Sequence, residues 1–485
     1  MIPPRVSHYR LLQAHVPASL LQADPALIEA ARLEGRSPLL SDEFCVVDLE
    51  IRDGIVVAIA PAGQLDSNSE THNSSAASIH SVDLRRKQVW PCFIDMHTHL
   101  DKGHIWERCP NPNHTFDSAL EVVQKDSQQY WQAEDLYARM EFGLKCSYAH
   151  GTRAIRTHID AFGDQAGISL KVFQQLQHEW RDRLRLQAVC LVTIDYFCAS
   201  EGEALADQMA EIEGGVLGGV TFPNEDLDAQ LDRVFAIAKE RQLALDFHAD
   251  ESGNPEDKTL RQIARAAIRH DFDRPIVCGH CCSLAVQPPE EVKATIDIVK
   301  AANIGVVSLP LCNLYLQDRN QNASRRFQQG EADLPAERSH LKTGKTPRWR
   351  GMTLLHELQE AGIPVAIASD NCRDPFHGFG DHDAFEVFNL STRIAHLDSP
   401  YGNWPRSITT TPADLMELPQ FGRIGIGLPA DLVIFKARTF SELLSRPQGD
   451  RTVIRNGQAI DTTLPDYEEL DNIIKKPVPD SPSLP

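Results

Sequence analysis

From residue 90 onward, short apolar runs alternate with helical patterns, and this alternation limits the fold more than any other property of the chain. The runs lie at 90–97, 152–159, 186–193, 216–222, 243–248, 275–280, 304–309 and 364–370. Between most of them stand helix-length stretches such as 168–184, 225–241 and 288–302. Eight strand–helix units are what a (β/α)8 barrel requires. At 485 residues the chain can hold such a barrel and a satellite domain. The longest break, 310–349, is rich in Arg, Asn, Gln and Glu and long for a connection. It suits a lid, a subunit contact or a solvated surface excursion.

The flanks read differently. Residues 8–16 and 44–61 pattern as strands, with Arg52–Asp53–Gly54 turning between 46–51 and 55–60. Residues 18–43 read as a helical or irregular insertion, and the Ser-rich 65–80 as an exposed loop. Past 405, the segments 430–435 and 452–458 read as two strands with a turn at Asn456–Gly457. The expected architecture is therefore an α/β chain with a (β/α)8 TIM-like barrel over 89–404. Residues 1–88 and 405–485 would form one small β-sandwich domain built from both chain termini. The Pro-rich end, 475–485, is expected to be disordered.

Charge and composition exclude some functions. A net charge of −20 argues against nucleic acid or anionic membranes as partners. No apolar run reaches the length of a membrane span, and the first ten residues lack the order of a secretory signal, so a cytoplasmic location is expected. The 11 cysteines fit that compartment as reduced thiols. Cys278–Gly279–His280–Cys281 has redox spacing, but it sits inside an apolar, strand-like run instead of opening a helix. His280 is left for another purpose.

That purpose emerges at the strand ends, where a parallel barrel gathers its chemistry. The first run ends in His97–Thr98–His99, whose alternation points both imidazoles to one side. Among 19 histidines such a pair alone is weak. However, the fifth run ends in His248, the sixth in His280 and the eighth in Asp370. Three imidazoles and a carboxylate suit a divalent metal, with room for a water whose proton it would loosen. Glu251, three residues past His248, can carry a proton beside that water, although a lone Glu there could equally be a helix N-terminal charge.

These residues resemble the amidohydrolase superfamily, and within it the cytosine deaminase group, over about residues 85–435. The carriers are His97–Thr98–His99–Leu100–Asp101, Arg156–Thr157–His158–Ile159–Asp160, His248–Ala249–Asp250–Glu251, Gly279–His280, the run Asn313 to Gln317, and Ser369–Asp370–Asn371 with Asp374–Pro375. The resemblance implies that His97, His99, His248 and Asp370 hold one divalent metal per chain, Zn or Fe. It implies that Glu251 protonates the substrate ring, and that His280 and Asp370 orient the attacking hydroxide and relay its proton. Relatives with two metals use a carboxylated lysine after the fourth strand. Residues 214–224 contain no lysine, which favours one metal.

Departures from the cytosine deaminase pattern fall where substrate would bind. Thr193 stands in place of a pyrimidine-pairing glutamine, Asn371 in place of an aspartate and Phe376 in place of a tryptophan. Lys102 is similar to relatives that act on substituted triazines. The expected activity is a metal-dependent deaminase in which hydroxide attacks the amine-bearing carbon of a small nitrogen heterocycle. That heterocycle should be larger or more oxygenated than cytosine. Alternatives are a hydrolase of N-alkylamino-triazines or cyclic amides, like N-isopropylammelide amidohydrolase, and a catalytically silent binding protein on the same fold. The expected partners are the small substrate and further copies of the chain.

Overall fold

Eight strands pair in strictly parallel register around one barrel. In the computed structural model, which describes residues 6–32, 44–67, 79–318 and 346–474, the sheet order follows the chain. The strands are β7 (Phe93–Thr98), β8 (Thr152–Asp160), β9 (Arg185–Leu191), β10 (Gly215–Thr221), β11 (Leu245–Ala249), β12 (Ile276–His280), β13 (Ile304–Ser308) and β14 (Val365–Ile367). The ring closes through backbone just beyond the last strand. Asp370 N–H donates to the His97 carbonyl at 2.8 Å, and Thr98 bridges Asp370 in parallel register. The barrel read from the alternation is thus present, with strand bounds shifted by a few residues.

The first run behaves differently from its pattern. Residues 90–97 read as one strand, but the chain changes partner inside it. Val89–Pro91 (β6) pairs antiparallel with Leu432–Ile434 (β16), and only then does β7 enter the barrel. Pro91 has no N–H to continue a ladder, and Cys92 N–H turns to the Asp431 carbonyl at 2.9 Å. Trp90 anchors the junction, edge-on to Phe388, Phe435 and Phe440.

Both chain ends build small sheets beside the barrel. His8–Pro17 (β1), Phe44–Arg52 (β3), Ile55–Pro61 (β4) and His80–Asp83 (β5) form one, in the order β4-β3-β1-β5. Thr452–Arg455 (β17) and Gln458–Ala459 (β18) join β16 and β6 in another, and Leu21–Gln22 (β2) pairs with Ile424–Gly425 (β15). Both expected hairpin turns occur with the left-handed backbone their sequences permit: Asp53 (φ 50°) with Gly54 (φ 82°), and Asn456 (φ 46°) with Gly457 (φ 72°). The two turns pack on each other, and a Cβ on Gly54 would stand 2.7 Å from the Asn456 carbonyl oxygen. Ala430 N–H donates to the Gly54 carbonyl at 2.7 Å, and the Tyr9 hydroxyl donates to the Gly457 carbonyl at 2.8 Å.

Helices cover the barrel by burying one face. In Thr259–Arg269 the buried positions Leu260, Ile263, Ala264 and Ala267 recur at helical spacing. The short helix Thr410–Leu415 packs against the barrel interior, where Arg156 and Gln187 donate to the carbonyls of Leu415 and Met416. Of the 310–349 excursion, Pro310–Leu316 is helical and 319–345 lies outside the described residues, as do 68–78 of the polar loop and the 475–485 tail. Among the described residues no helix is long and apolar enough to cross a membrane. Cys278 and Cys281 are buried and unbridged, and burial raises both thiols well above their ordinary pKa, the reverse of a reactive pair.

Candidate active site

Strand parity brings the chemistry together at the carboxyl ends of the barrel strands. His97 on β7 and His248 on β11 place their Nε2 atoms 3.2 Å apart, and His248 Nε2 lies 3.3 Å from His99 Nε2. Asp370 Oδ1 is 3.2 Å from His99 Nε2 and 3.6 Å from His97 Nε2. All four side chains are buried. Their positions depend on the barrel seam. Asp370 is held by the His97 carbonyl and by Thr98 Oγ1, which donates to the Asp370 carbonyl at 2.8 Å. The preceding Ser369 donates its N–H at 3.1 Å, and its hydroxyl, to the Asp95 carboxylate.

This donor set fits a divalent metal. Ligand bonds of about 2.0–2.1 Å arranged tetrahedrally place neighbouring ligand atoms about 3.3 Å apart. The four separations given above, 3.2–3.6 Å, are close to that spacing. Hydrogen bonding does not account for it, because one imidazole nitrogen of His248 faces two others and a single proton can bridge only one such pair. Among the described residues no donor meets hydrogen-bond geometry with either Asp370 oxygen. Burial holds the three imidazoles well below their usual pKa and pushes Asp370 up to about 8, so the site lacks positive charge that a cation would supply. Gly279 leaves room for the His97 ring; a Cβ there would stand 2.9 Å from His97 Cε1.

Glu251 and His280 flank this cluster. Glu251 Oε1 lies 3.4 Å from His280 Nδ1. Burial, then the nearby Asp370 carboxylate, raises Glu251 well above the usual carboxylate range. The neighbouring Asp250 takes the structural duty that a carboxylate after a strand often has. It sits in the left-handed region (φ 53°) and accepts from Thr259 N–H at 2.7 Å and Leu260 N–H at 3.1 Å, capping the helix Thr259–Arg269. Glu251 is thereby free to face the cavity. Asn313 Nδ2 lies 3.1 Å from His280 Nδ1 and 3.4 Å from Glu251 Oε1. An amide facing two acceptors is their donor, so neutral His280 carries its proton on Nε2. Burial lowers His280 to about 3.

Above these groups opens a cavity of 490 Å³. Lys102, Thr193, Asn371 and Phe376 all line it, together with His99, His248, Glu251, His280 and Asp370. Lys102 Nζ donates to Asp160 Oδ1 at 2.8 Å and stands 5.5 Å from the Phe376 ring centre. Burial opposes its charge, but Asp160 and Asp101 more than offset that and hold its pKa above the ordinary value. Asn371 Nδ2 is committed to Asp374 at 2.7 Å. The walls are apolar, with Phe116, Trp131, Phe162 and Phe222 among them.

Sequence reading assigned no role to four groups. Arg156, His158 and Asp160 alternate on β8 and so share its inward face, a parity readable from the chain. His158 lies 3.9 Å from His97, ring centre to ring centre, and Arg156 pairs with Asp246 at 2.9 Å beneath. His158 also has a nitrogen within 4.8 Å of donors on His97 and His248. Asn313, by contrast, meets His280 only because the fold brings together residues 33 apart in the chain.

A profile of the amidohydrolase family matches residues 141–461. A pterin deaminase of Rhizobium rhizogenes is 44% identical over 474 residues, covering 98% of each chain. An N-isopropylammelide isopropyl amidohydrolase of a Pseudomonas species is 23% identical over 391 residues, 78% of this chain and 87% of the relative. Among solved structures, the 5-methylcytosine deaminase of Klebsiella pneumoniae superposes with a TM-score of 0.73 at 20% identity, covering 93% of this chain and 97% of that one.

Proposed function

This chain belongs to the amidohydrolase family, and from that premise we propose that it is a metal-dependent aminohydrolase that deaminates a pterin-like heterocycle. The observation that carries the reading is the convergence of His97, His99, His248, Glu251, His280 and Asp370 beneath one apolar cavity. Similarity to the pterin deaminase along nearly the whole chain supports the substrate class. So does the cavity. Leu120, Phe162 and Phe222 line it yet stay more than two-fifths exposed, so its rim offers apolar surface on which a flat bicyclic ring can stack. Lys102 and Asp160 together present a donor beside an acceptor, the complement of the C=O and N–H of a lactam edge.

One catalytic metal per chain, Zn²⁺ or Fe²⁺, would be held by His97, His99, His248 and Asp370, and bound there it would bring a water to ionise near neutral pH. The residues then divide the proton transfers. Glu251, kept protonated by its burial, gives its proton to the ring nitrogen next to the amine-bearing carbon. His280, with Nδ1 engaged by Asn313, directs its Nε2 proton toward the attacking oxygen. Asp370 presents two carboxylate oxygens, so one can bind metal while the other takes the proton from that oxygen. As the C–O bond forms and the C–N bond breaks, that proton passes to the amine, which leaves as ammonia. The proton shed by the attacking water restores the carboxyl of Glu251, so water is consumed and the ring gains a carbonyl and an N–H.

The test is steady-state amine release by the metal-loaded protein with pterin, cytosine and N-isopropylammelide side by side, ammonia being read for the first two and isopropylamine for the third. We expect kcat/KM for pterin to exceed that for cytosine by at least about tenfold, the scale of one lost polar recognition contact. Cytosine as the best substrate would overturn the pocket assignment. N-isopropylammelide as the best would favour the triazine reading, and no amine from any of them would favour a silent binding protein.

A further inference from the structure

A second group of metal-ligating side chains lies outside the substrate cavity. His104 follows β7 in the loop that also carries His99 and Lys102. Cys372 follows Asp370, and His382 precedes the helix Ala384–Ala395. His104 Nε2 and His382 Nε2 are 3.3 Å apart, and one nitrogen of each ring and the Cys372 sulfur all lie within 4.8 Å of one another. The three residues are 3%, 2% and 1% exposed, and none is among those lining the cavity.

The surrounding structure is shaped for this cluster. Gly143, on the helix Ala133–His150, provides the space for one ring, since a Cβ there would stand 2.9 Å from His382 Nε2. His104 (φ 63°) and His382 (φ 53°) both hold left-handed backbone, so the fold aims the two rings against local preference. The His104 N–H donates to the Cys372 carbonyl at 3.0 Å, which fixes the loops to each other beside the donors.

We propose that His104, Cys372 and His382 form a second, structural Zn²⁺ site that staples the loop after β7 to the loop after β14. A nitrogen-to-nitrogen spacing of 3.3 Å matches two ligands of one tetrahedral zinc, and a thiolate with two imidazoles is a soft donor set that zinc favours. The site lies next to the barrel seam. One stapled loop carries His99 and Lys102, and the other follows directly on Asp370 and Asn371. Metal there would hold two walls of the active site in register without touching substrate.

Cobalt separates this centre from the catalytic one, because only the second site has a thiolate among its ligands. The full chain, stripped of metal and reloaded with Co²⁺ alone, should show a thiolate-to-cobalt charge-transfer band and bind about two metal ions. Cys372→Ser should lose the band and about one equivalent. His382→Gln should lose the same equivalent, which keeps the test open if the serine variant does not fold. His248→Ala should keep the band and lose the other equivalent, so failure of the catalytic assignment would show separately. Absence of the band at saturating Co²⁺, or a band that survives Cys372→Ser, would overturn the second site.

Discussion

Glu251 and Asp250 are adjacent carboxylates whose surroundings give them different work. Asp250 accepts two backbone N–H groups at the start of a helix, whereas Glu251 faces the cavity within 3.4 Å of His280. From the chain alone either could have been the helix charge, since choosing requires knowing where the helix Thr259–Arg269 begins. We expect Glu251→Gln to retain metal and lose roughly 10²–10⁴-fold in kcat, the usual worth of a general acid. A loss under tenfold would remove Glu251 from the chemistry. The pH dependence follows from the direction of its shift. In the role proposed for Glu251 the proton donor is the neutral carboxyl, and burial raises its pKa, so the free enzyme keeps that form above the usual carboxylate range. The Glu251-dependent part of kcat/KM should therefore fall as pH rises through that raised pKa. A kcat/KM that instead rises with pH throughout that region would contradict the role.

At the scale of elements, the barrel seam carries the site. Three of the residues that could bind metal, His97, His99 and Asp370, stand where β7 meets the backbone beyond β14. Asp95 locks that seam by accepting from the N–H and hydroxyl of Ser369, one residue before Asp370. Asp95→Ala leaves those donors unmatched in a buried place, at a cost of about 1–3 kcal/mol. It should also weaken metal binding by roughly 10–100-fold, as losing the support behind a ligand does. Chemical denaturation and metal titration of the variant check both, and unchanged metal affinity would show that the seam does not position Asp370. The strand ends were legible because apolar runs and their terminal polar residues are local patterns. The split of residues 90–97 between two sheets was not. It depends on Pro91 and on a partner strand more than 300 residues away, and periodicity carries neither. The Asn313–His280 and Lys102–Asp160 pairs were hidden for the same reason.

Across the whole molecule, the chain ends meet at two glycine turns. Gly54 needs its left-handed backbone and has the Asn456 carbonyl against the place a Cβ would occupy. Gly54→Ala should therefore destabilise the fold by about 1–3 kcal/mol, read by denaturation, while kcat stays unchanged because the turn is remote from the cavity. A drop in kcat with stability intact would mean that the terminal sheets tune the site. The alternating pattern revealed the barrel, and the Asp53–Gly54 and Asn456–Gly457 pairs revealed the hairpins, but the contact between those hairpins is a tertiary fact. The central claim is that the strand-end cluster makes this barrel a metal-dependent deaminase, and metal removal tests it most directly. Ammonia release from pterin should fall below detection in the metal-stripped protein and return on adding Zn²⁺ or Fe²⁺, with no return in His248→Ala. Undiminished turnover by the stripped protein would contradict the account.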